Sequence, residues 1–104
     1  LPGADTNPYL ALAAAIASGL HGIENKIDPD APVTGNAYEN TLAAERQLPR
    51  VLEDASAFFA KSEVARDWFG DAFVDHFAAS RDWEVRESRK YVSDWELSRY
   101  FELI

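Results

Sequence analysis

The chain has 104 residues, the size of one domain or of part of one, which excludes a two-domain protein. Its 47% hydrophobic and 27% charged residues match a globular composition, so intrinsic disorder is not expected. With 10 Lys+Arg against 18 Asp+Glu the net charge is −8, which opposes nucleic acid or an anionic membrane surface as a partner.

Cysteine and methionine are both absent. The lack of cysteine excludes disulfides, thiolate catalysis and cysteine-based zinc sites, and it is compatible with the cytoplasmic location that we expect. The chain starts with Leu1-Pro2-Gly3 and has no signal-peptide pattern, so we expect an excised fragment. Residues 6–23 carry no Asp, Glu, Lys or Arg, but they include Pro8, Gly19, Gly22 and many alanines, which favours a buried helix over a membrane span.

Residues 1–27 are predicted to contain the first helix. Asn7 is a strong N-cap, and Pro8 suits the first helical position, where its missing N–H has no partner in any case. An apolar stripe then follows at steps of three or four residues, formed by Tyr9, Leu12, Ile16, Leu20, Ile23 and Ile27. Because alanines cover most of the other faces, this helix is expected to be buried on several sides. Gly19 and Gly22 each cost about 1 kcal/mol in a helix interior, so either they permit close packing or the helix ends near Gly22.

Residues 28–47 are predicted to form a long irregular loop, because prolines, glycine and asparagines interrupt any helix or strand pattern. Connections of about twenty residues are uncommon in compact domains, and they tend to be functional, disordered or packed against another part of a protein.

Residues 48–104 are predicted to form a helical end, so the fold class is mainly α, with four or five helices in all. A second helix over 48–61 has Pro49 in its first turn and an apolar face of Val51, Leu52, Ala55, Phe58 and Phe59. Ser62 caps a short helix that Gly70 ends in a left-handed conformation, and Asp71 caps a longer helix over about 72–92. This helix continues a stripe of Phe69, Phe73, Phe77, Ser80 and Trp83. Ser93 and Glu96 form a capping box for a last helix.

No catalytic, metal-binding or nucleotide-binding residue can be assigned from these patterns. His21 and His76 are the only imidazoles, and neither lies in a metal-binding or triad motif, although His21 shares a helix face with Glu24. Paired carboxylates at 28/30, 53/54 and 94/96 are expected to be solvated, which does not suit a general acid. The five glycines are too scattered for a phosphate-binding loop. The helical spacing of the aromatic residues indicates packing rather than a stacking surface for bases or sugars.

Two motifs in the first helix closely resemble the C-terminal part of the glutamine synthetase family. Asn7-Pro8-Tyr9-Leu10-Ala11 resembles N-P-Y-L-A, and residues 19–26 resemble G-L-x-G-I-x-N-K at the correct separation. The residues that carry the resemblance as structural motif positions are Pro2, Asn7, Pro8, Tyr9, Gly19, Gly22, Asn25 and Lys26. The later Leu48-Pro49, Phe73-Val74-Asp75 and Ser93-Asp94-Trp95-Glu96-Leu97 also look like the end of these enzymes. Pro2-Gly3 and Asp5 look more like the γ-glutamylpolyamine synthetase branch than the ammonia-using branch.

The resemblance implies a parent enzyme with an α+β fold that uses ATP and Mg²⁺ or Mn²⁺ to phosphorylate the γ-carboxylate of glutamate, after which ammonia or an amine displaces the phosphate. In the family a metal-binding glutamate and a substrate-binding arginine lie just before the position of Leu1. This chain alone is therefore expected to hold no cofactor and to be inactive, with the rest of the catalytic domain as its partner. The resemblance also implies a homo-oligomeric ring.

Tyr38 is the one regulatory candidate, because Asn36-Ala37-Tyr38-Glu39 lies where bacterial family members carry an adenylylated tyrosine. The acidic, proline-rich sequence that follows that tyrosine in the family is missing here, so an anchoring role in the loop is the default interpretation.

A different interpretation is a free-standing acidic helical interaction module, with Trp68, Trp83 and Trp95 forming a partner groove. The residues encoded before Leu1 distinguish the two: an E-x-R after a longer ligase-like chain supports the fragment, and a start codon near Leu1 supports the module.

Overall fold

The structure is a computed structural model that describes residues 3–32, 34–36, 43 and 46–101. Over these residues it contains five α-helices and no strand: α1 Pro8–Glu24, α2 Leu52–Lys61, α3 Glu63–Phe69, α4 Asp71–Ser88 and α5 Asp94–Tyr100. The predicted mainly α fold is confirmed. The chain divides into two compact units, Leu1–Gln47 and Leu48–Ile104.

The first unit contains α1 and the described parts of the irregular segment that follows it. These parts of residues 28–47 contain neither an α-helix nor a strand, as the punctuating residues predict. Arg46 forms an ion pair with Asp30 and so connects the two ends of this segment.

The core of the second unit lies where α2 packs against α4, with α3 also contacting α4. Val74 of α4 is fully buried, and the small residues Ala78 and Ser56 let the two helices approach closely. Phe59 of α2 meets Phe77 of α4 edge to face, with ring centroids 5.5 Å apart. This core is small, so few large side chains in the unit are shielded from solvent.

Two helix starts agree with their local signals, and one helix end agrees in part. The Ser62 side chain accepts a hydrogen bond from the Ala65 N–H and caps α3. Gly70 ends α3 with φ 81°, but its ψ of 150° is extended rather than left-handed helical, so only the need for a glycine was predicted correctly. At α5, Ser93 and Glu96 form the predicted capping box, with a Ser93 N–H to Glu96 Oε2 distance of 2.8 Å.

The boundaries of α2 and α4 differ from the prediction. Helix α2 begins at Leu52 rather than at residue 48, since Val51 is extended and the acidic Glu53 and Asp54 occupy the first turn, where negative charge favours a helix start. Helix α4 includes Asp71 as its first residue instead of being capped by it, because Gly70 takes the cap position.

Helix α4 also ends earlier than predicted, at Ser88 rather than near Val92. Ser93 has to be extended to cap α5, and its φ of −75° and ψ of 154° show that it is. That alone would allow a helix up to Val92. Helix α4 stops earlier because the Lys90 and Tyr91 N–H groups donate to carbonyls three positions back, Glu87 at 3.0 Å and Ser88 at 3.3 Å, and so form turns.

Several large side chains assigned to packed faces are exposed instead, Phe58 at 68% and Trp83 at 52% above all. Val51, Leu52 and Phe73 are exposed as well. The face of α2 that meets α4 runs through Ser56 and Phe59, which turns Phe58 outward. On α4 the buried positions are Val74 and Ala78, so the packed face is rotated away from Trp83.

Candidate functional site

Helix α1 begins as the sequence predicts. The Asn7 side-chain oxygen accepts hydrogen bonds from the backbone N–H groups of Tyr9 at 3.0 Å and Leu10 at 3.4 Å, and Pro8 occupies the first turn. This cap fixes where the helix starts, and the spacing of three or four residues then places the apolar side chains on one face.

The apolar stripe of α1 is exposed in this chain. Tyr9 is 82% exposed, Ile23 is 75% exposed and Ile16 is 61% exposed, and the remaining members Leu12, Leu20 and Ile27 are also exposed. Ala17 is the buried residue of the helix. The part of the chain that the structure describes thus does not provide the expected burial on several sides. A continuous apolar surface of this length is typical of a face that another protein surface covers.

Helix α1 continues through Gly19 and Gly22 and ends at Glu24. Of the two alternatives that the sequence left open, the helix thus does not stop at Gly22. A methyl group added at Gly19 or Gly22 would have no described atom within 4 Å, apart from its chain neighbours and the backbone of its own helix. The contacts described in this chain therefore do not explain why glycine stands at either position.

The C-terminal end of α1 closes through two backbone hydrogen bonds, from the Lys26 N–H to the Ile23 carbonyl at 3.2 Å and from the Ile27 N–H to the Gly22 carbonyl at 2.9 Å. This pattern normally places glycine in a left-handed conformation just after the helix. Here that residue is Lys26, with φ 53°. The left-handed conformation costs a residue with a side chain roughly 1–2 kcal/mol relative to glycine.

Asn25 adds side-chain bonds to the same helix end. Its amide donates to the His21 carbonyl at 2.9 Å and lies 3.2 Å from His21 Nδ1. His21 therefore takes part in closing the helix.

Pro2 and Tyr38 lie outside the described residues. The structural motif assignment of Pro2 and the regulatory assignment of Tyr38 stay predictions.

The described residues do not form a metal site: they contain no group of three or more His, Asp or Glu side chains arranged to hold an ion. The carboxylates paired in the sequence at 28/30, 53/54 and 94/96 are exposed. Hydrogen bonds from the Ser93 backbone and hydroxyl lower the pKa of Glu96, which is the opposite of what a general acid requires.

The second unit holds a polar contact that the sequence did not indicate. Ser56 is 4% exposed, and its hydroxyl donates to Asp82 Oδ1 at 2.7 Å, with the Ala78 carbonyl at 3.3 Å. An open cavity beside this contact is lined in part by Glu53, Arg86 and Arg89, and Arg89 pairs with Glu53 across it. The acidic and basic side chains that line this cavity balance in charge. We therefore assign the cavity to the packing of α2 against α4 rather than to a charged ligand.

Arg66 is a second residue whose role the sequence did not indicate. Its guanidinium donates to the Ala60 carbonyl at 2.7 Å, to Asp71 at 2.7 Å and to Asp75 at 2.8 Å, and so joins the end of α2 to the start of α4. The hydrogen bond to Asp71, followed by that to Asp75, raises the pKa of Arg66 above its ordinary value. Asp71 and Asp75 lie five and nine positions after Arg66, whereas ion pairs on one helix are recognised in a sequence at spacings of three or four.

Comparison with known proteins decides the family. A family model described as glutamine synthetase, catalytic domain, matches residues 1–100. A glutamate–isopropylamine ligase from Pseudomonas sp. is 48% identical over 104 residues, covering 100% of this chain and 23% of the relative. The chain belongs to the glutamine synthetase family.

Other relatives in the glutamine synthetase family match the same length of chain. Type-1 glutamine synthetase 2 of Dictyostelium discoideum is 40% identical over 104 residues, with 98% of this chain and 20% of the relative covered. Glutamine synthetase of Thermotoga maritima is 40% identical over 109 residues, with 98% and 24% covered. The chain thus spans between a fifth and a quarter of the length of these relatives.

The resemblance to the glutamine synthetase family that the sequence suggested is confirmed. Its two motifs mark the two ends of one helix: Asn7 caps the start of α1, and Asn25 and Lys26 close its end. Across the described residues, no helix is long and apolar enough to cross a membrane.

Proposed function

We propose that these 104 residues form the C-terminal, structural portion of the catalytic domain of an ATP-dependent ligase that joins glutamate to ammonia or an amine through γ-glutamyl phosphate. The family match supports the ligase class, since the relatives named above are a glutamate–amine ligase and glutamine synthetases. The proposed single portion comprises the helix-bearing residues 1–27, the loop 28–47 and the helical end 48–104.

The exposed apolar stripe of α1 carries the proposal of a structural role. A helix with no Asp, Glu, Lys or Arg from Thr6 to Ile23 loses stability when its apolar side chains face water, at about 25 cal/mol per Å² of apolar surface. The relatives are about four to five times as long as this chain, so a longer polypeptide supplies the surface that covers the stripe. In this role α1 backs the active-site sheet of the parent domain.

The chemistry of the ligase belongs to the rest of that domain. The described residues do not fit a divalent metal, because they offer no group of three acidic or histidine ligands, so we assign no step of the reaction to them. ATP and Mg²⁺ or Mn²⁺ are proposed to bind outside these 104 residues.

The acceptor is proposed only as ammonia or an amine. The named relatives include a ligase for isopropylamine and glutamine synthetases, and the γ-glutamylpolyamine branch stays a prediction. A homo-oligomeric ring and a cytoplasmic location are proposed for the parent from the resemblance alone.

The interaction-module alternative is not favoured, because the family match covers nearly the whole chain. One tryptophan of its proposed groove, Trp95, packs edge to face against Tyr100 of its own helix, with ring centroids 6.0 Å apart.

The test uses the full-length protein that contains this chain. We expect glutamate-dependent release of ADP from ATP when ammonia, isopropylamine or a polyamine is supplied, with formation of the γ-glutamyl amide detected by mass spectrometry. The isolated 104-residue chain, assayed at the same molar concentration, should give no turnover. Ligase turnover by the isolated chain would overturn the structural role, and a full-length protein inactive with all three acceptors would overturn the ligase.

A further inference from the structure

Lys26 occupies a position where the backbone favours glycine. Its φ of 53° is the left-handed conformation, and the two hydrogen bonds that close α1 use only backbone atoms of Gly22, Ile23, Lys26 and Ile27. Glycine would form the same bonds without the steric cost of a side chain. Closing the helix therefore does not account for a lysine at this position.

The charge of Lys26 is unusual in its surroundings. It is the only Lys or Arg in residues 1–45, although this segment contains several Asp and Glu residues. The side chain is exposed, and its ammonium makes no ion pair with a described residue. Of the neighbouring carboxylates, Asp30 is already paired with Arg46.

Lys26 also stands beside the end of the apolar stripe. Ile23, three positions before it, is 75% exposed, and Ile27, directly after it, is 58% exposed. Apolar contacts are non-directional, so a stripe of this kind fixes which surface is covered but hardly its register along the helix. A charge at the rim of such a surface can fix the register through an oppositely charged group on the partner.

We propose that the Lys26 ammonium forms an ion pair with a carboxylate in the remaining part of the same polypeptide, at the edge of the surface that covers the apolar stripe. This inference rests on the proposed function, since it requires the longer chain. The length of the relatives supports that occupant, because this chain covers only 23% of the Pseudomonas ligase. Among protein side chains only a carboxylate supplies a negative charge near neutral pH without modification.

The first test is zero-length crosslinking of the native full-length protein with a carbodiimide, which joins an amine only to a carboxylate in contact with it. We expect a Lys26 peptide joined to an Asp or Glu outside the 104 residues, and loss of that product in K26R. Crosslinks of Lys26 only to carboxylates within the 104 residues, or none at Lys26, would overturn the proposal. A mixture of light- and heavy-nitrogen protein identifies a crosslink between two copies, which would also overturn it.

The second test compares K26N with K26R in the full-length protein. Asparagine accepts the left-handed conformation better than lysine but has no charge, whereas arginine keeps the charge and the backbone cost. We expect K26N to melt below wild type, by about 1 °C in a protein four to five times as long as this chain, and K26R to melt close to wild type. Added salt should reduce the K26N difference, because screening weakens the ion pair in wild type. A melting difference between K26N and K26R that added salt leaves unchanged would contradict the ion pair, because backbone strain does not respond to screening.

Neither test measures ligase activity. A full-length protein that shows the crosslink but no turnover would leave the ion pair standing and remove the proposed ligase. An active ligase without the crosslink would leave the proposed ligase standing and remove the ion pair.

Discussion

Replacing Ile16 by aspartate tests whether the apolar stripe of α1 is covered in the full-length protein. Ile16 lies in the middle of the stripe and is 61% exposed in this chain. Complete burial of an isoleucine side chain stabilises a protein by about 1.5–3 kcal/mol, so covering the exposed share is worth about 1–2 kcal/mol. An aspartate at a covered position adds the cost of removing a polar group from water, about 1–3 kcal/mol by protein mutational data. We therefore expect I16D to lower the free energy of unfolding of the full-length protein by roughly 2–5 kcal/mol.

The matched control is S18D, which adds the same charge two positions away, outside the apolar stripe on the same helix. Ser18 is exposed and its hydroxyl donates to the Ala15 carbonyl at 3.0 Å. Surface substitutions of this kind usually change stability by no more than about 0.5 kcal/mol. Urea denaturation of the full-length wild type, I16D and S18D, followed by tryptophan fluorescence, gives the three free energies of unfolding.

In the isolated 104-residue chain the same substitution is expected to be favourable rather than destabilising. There the stripe is exposed, so I16D should remove apolar surface from water and reduce association of the chain, measured by sedimentation velocity. If I16D and S18D lose the same stability in the full-length protein, or if the isolated wild-type chain is strictly monomeric, the reasoning about a covered stripe is refuted.

Two further predictions concern the second unit. V74A should lower its free energy of unfolding by about 1.5–2.5 kcal/mol, because Val74 is fully buried and two methyl groups are lost with a small cavity left behind. V92A, at a position 63% exposed, should change it by no more than about 0.5 kcal/mol. The Ser93 hydrogen bonds lower the pKa of Glu96 from its ordinary value of 4.5, so they stabilise the start of α5 above pH 4.5 and are lost as the pH falls through the lowered value. The Ser93 amide shift in NMR spectra should follow this titration in wild type.

The controls for these two predictions are direct. Equal losses in V74A and V92A, measured by urea denaturation, would show that Val74 is not the centre of the core. E96Q keeps a carbonyl that can accept from the Ser93 N–H, so it should retain the cap but lose the pH dependence of the amide shift. A shift that still titrates in E96Q would have to come from another group.

The helix starts that have a side-chain cap were predictable, because their signals are local. A cap joins side chain and backbone two or three positions apart, as at Asn7 and Ser93, so residue type and spacing are enough to locate it. Asp71 is an exception, since its residue type suits a helix cap but Gly70, with φ 81°, takes the cap position. The Asp71 carboxylate binds Arg66 instead.

The packed faces were less predictable, because periodicity shows where apolar residues lie but not which of them meet a neighbour. Phe58 and Trp83 fit a helical spacing and yet are exposed, whereas the polar Ser56 is buried. Packing of α2 against α4 buries Ser56, and Asp82, 26 positions away, accepts the hydrogen bond that its buried hydroxyl needs. No local pattern encodes that pairing.

By itself the sequence determined the helical class, the capped start of α1, its uncharged apolar stripe and, through two motifs, the glutamine synthetase family. These properties depend on residues a few positions apart or on the order of residue types. Only the tertiary structure decided which faces of α2 and α4 are buried, with Ser56 packed against α4 and Phe58 and Trp83 left exposed. That choice depends on which surfaces the folded chain brings together and which it leaves in water, a balance of burial that no short window of sequence contains.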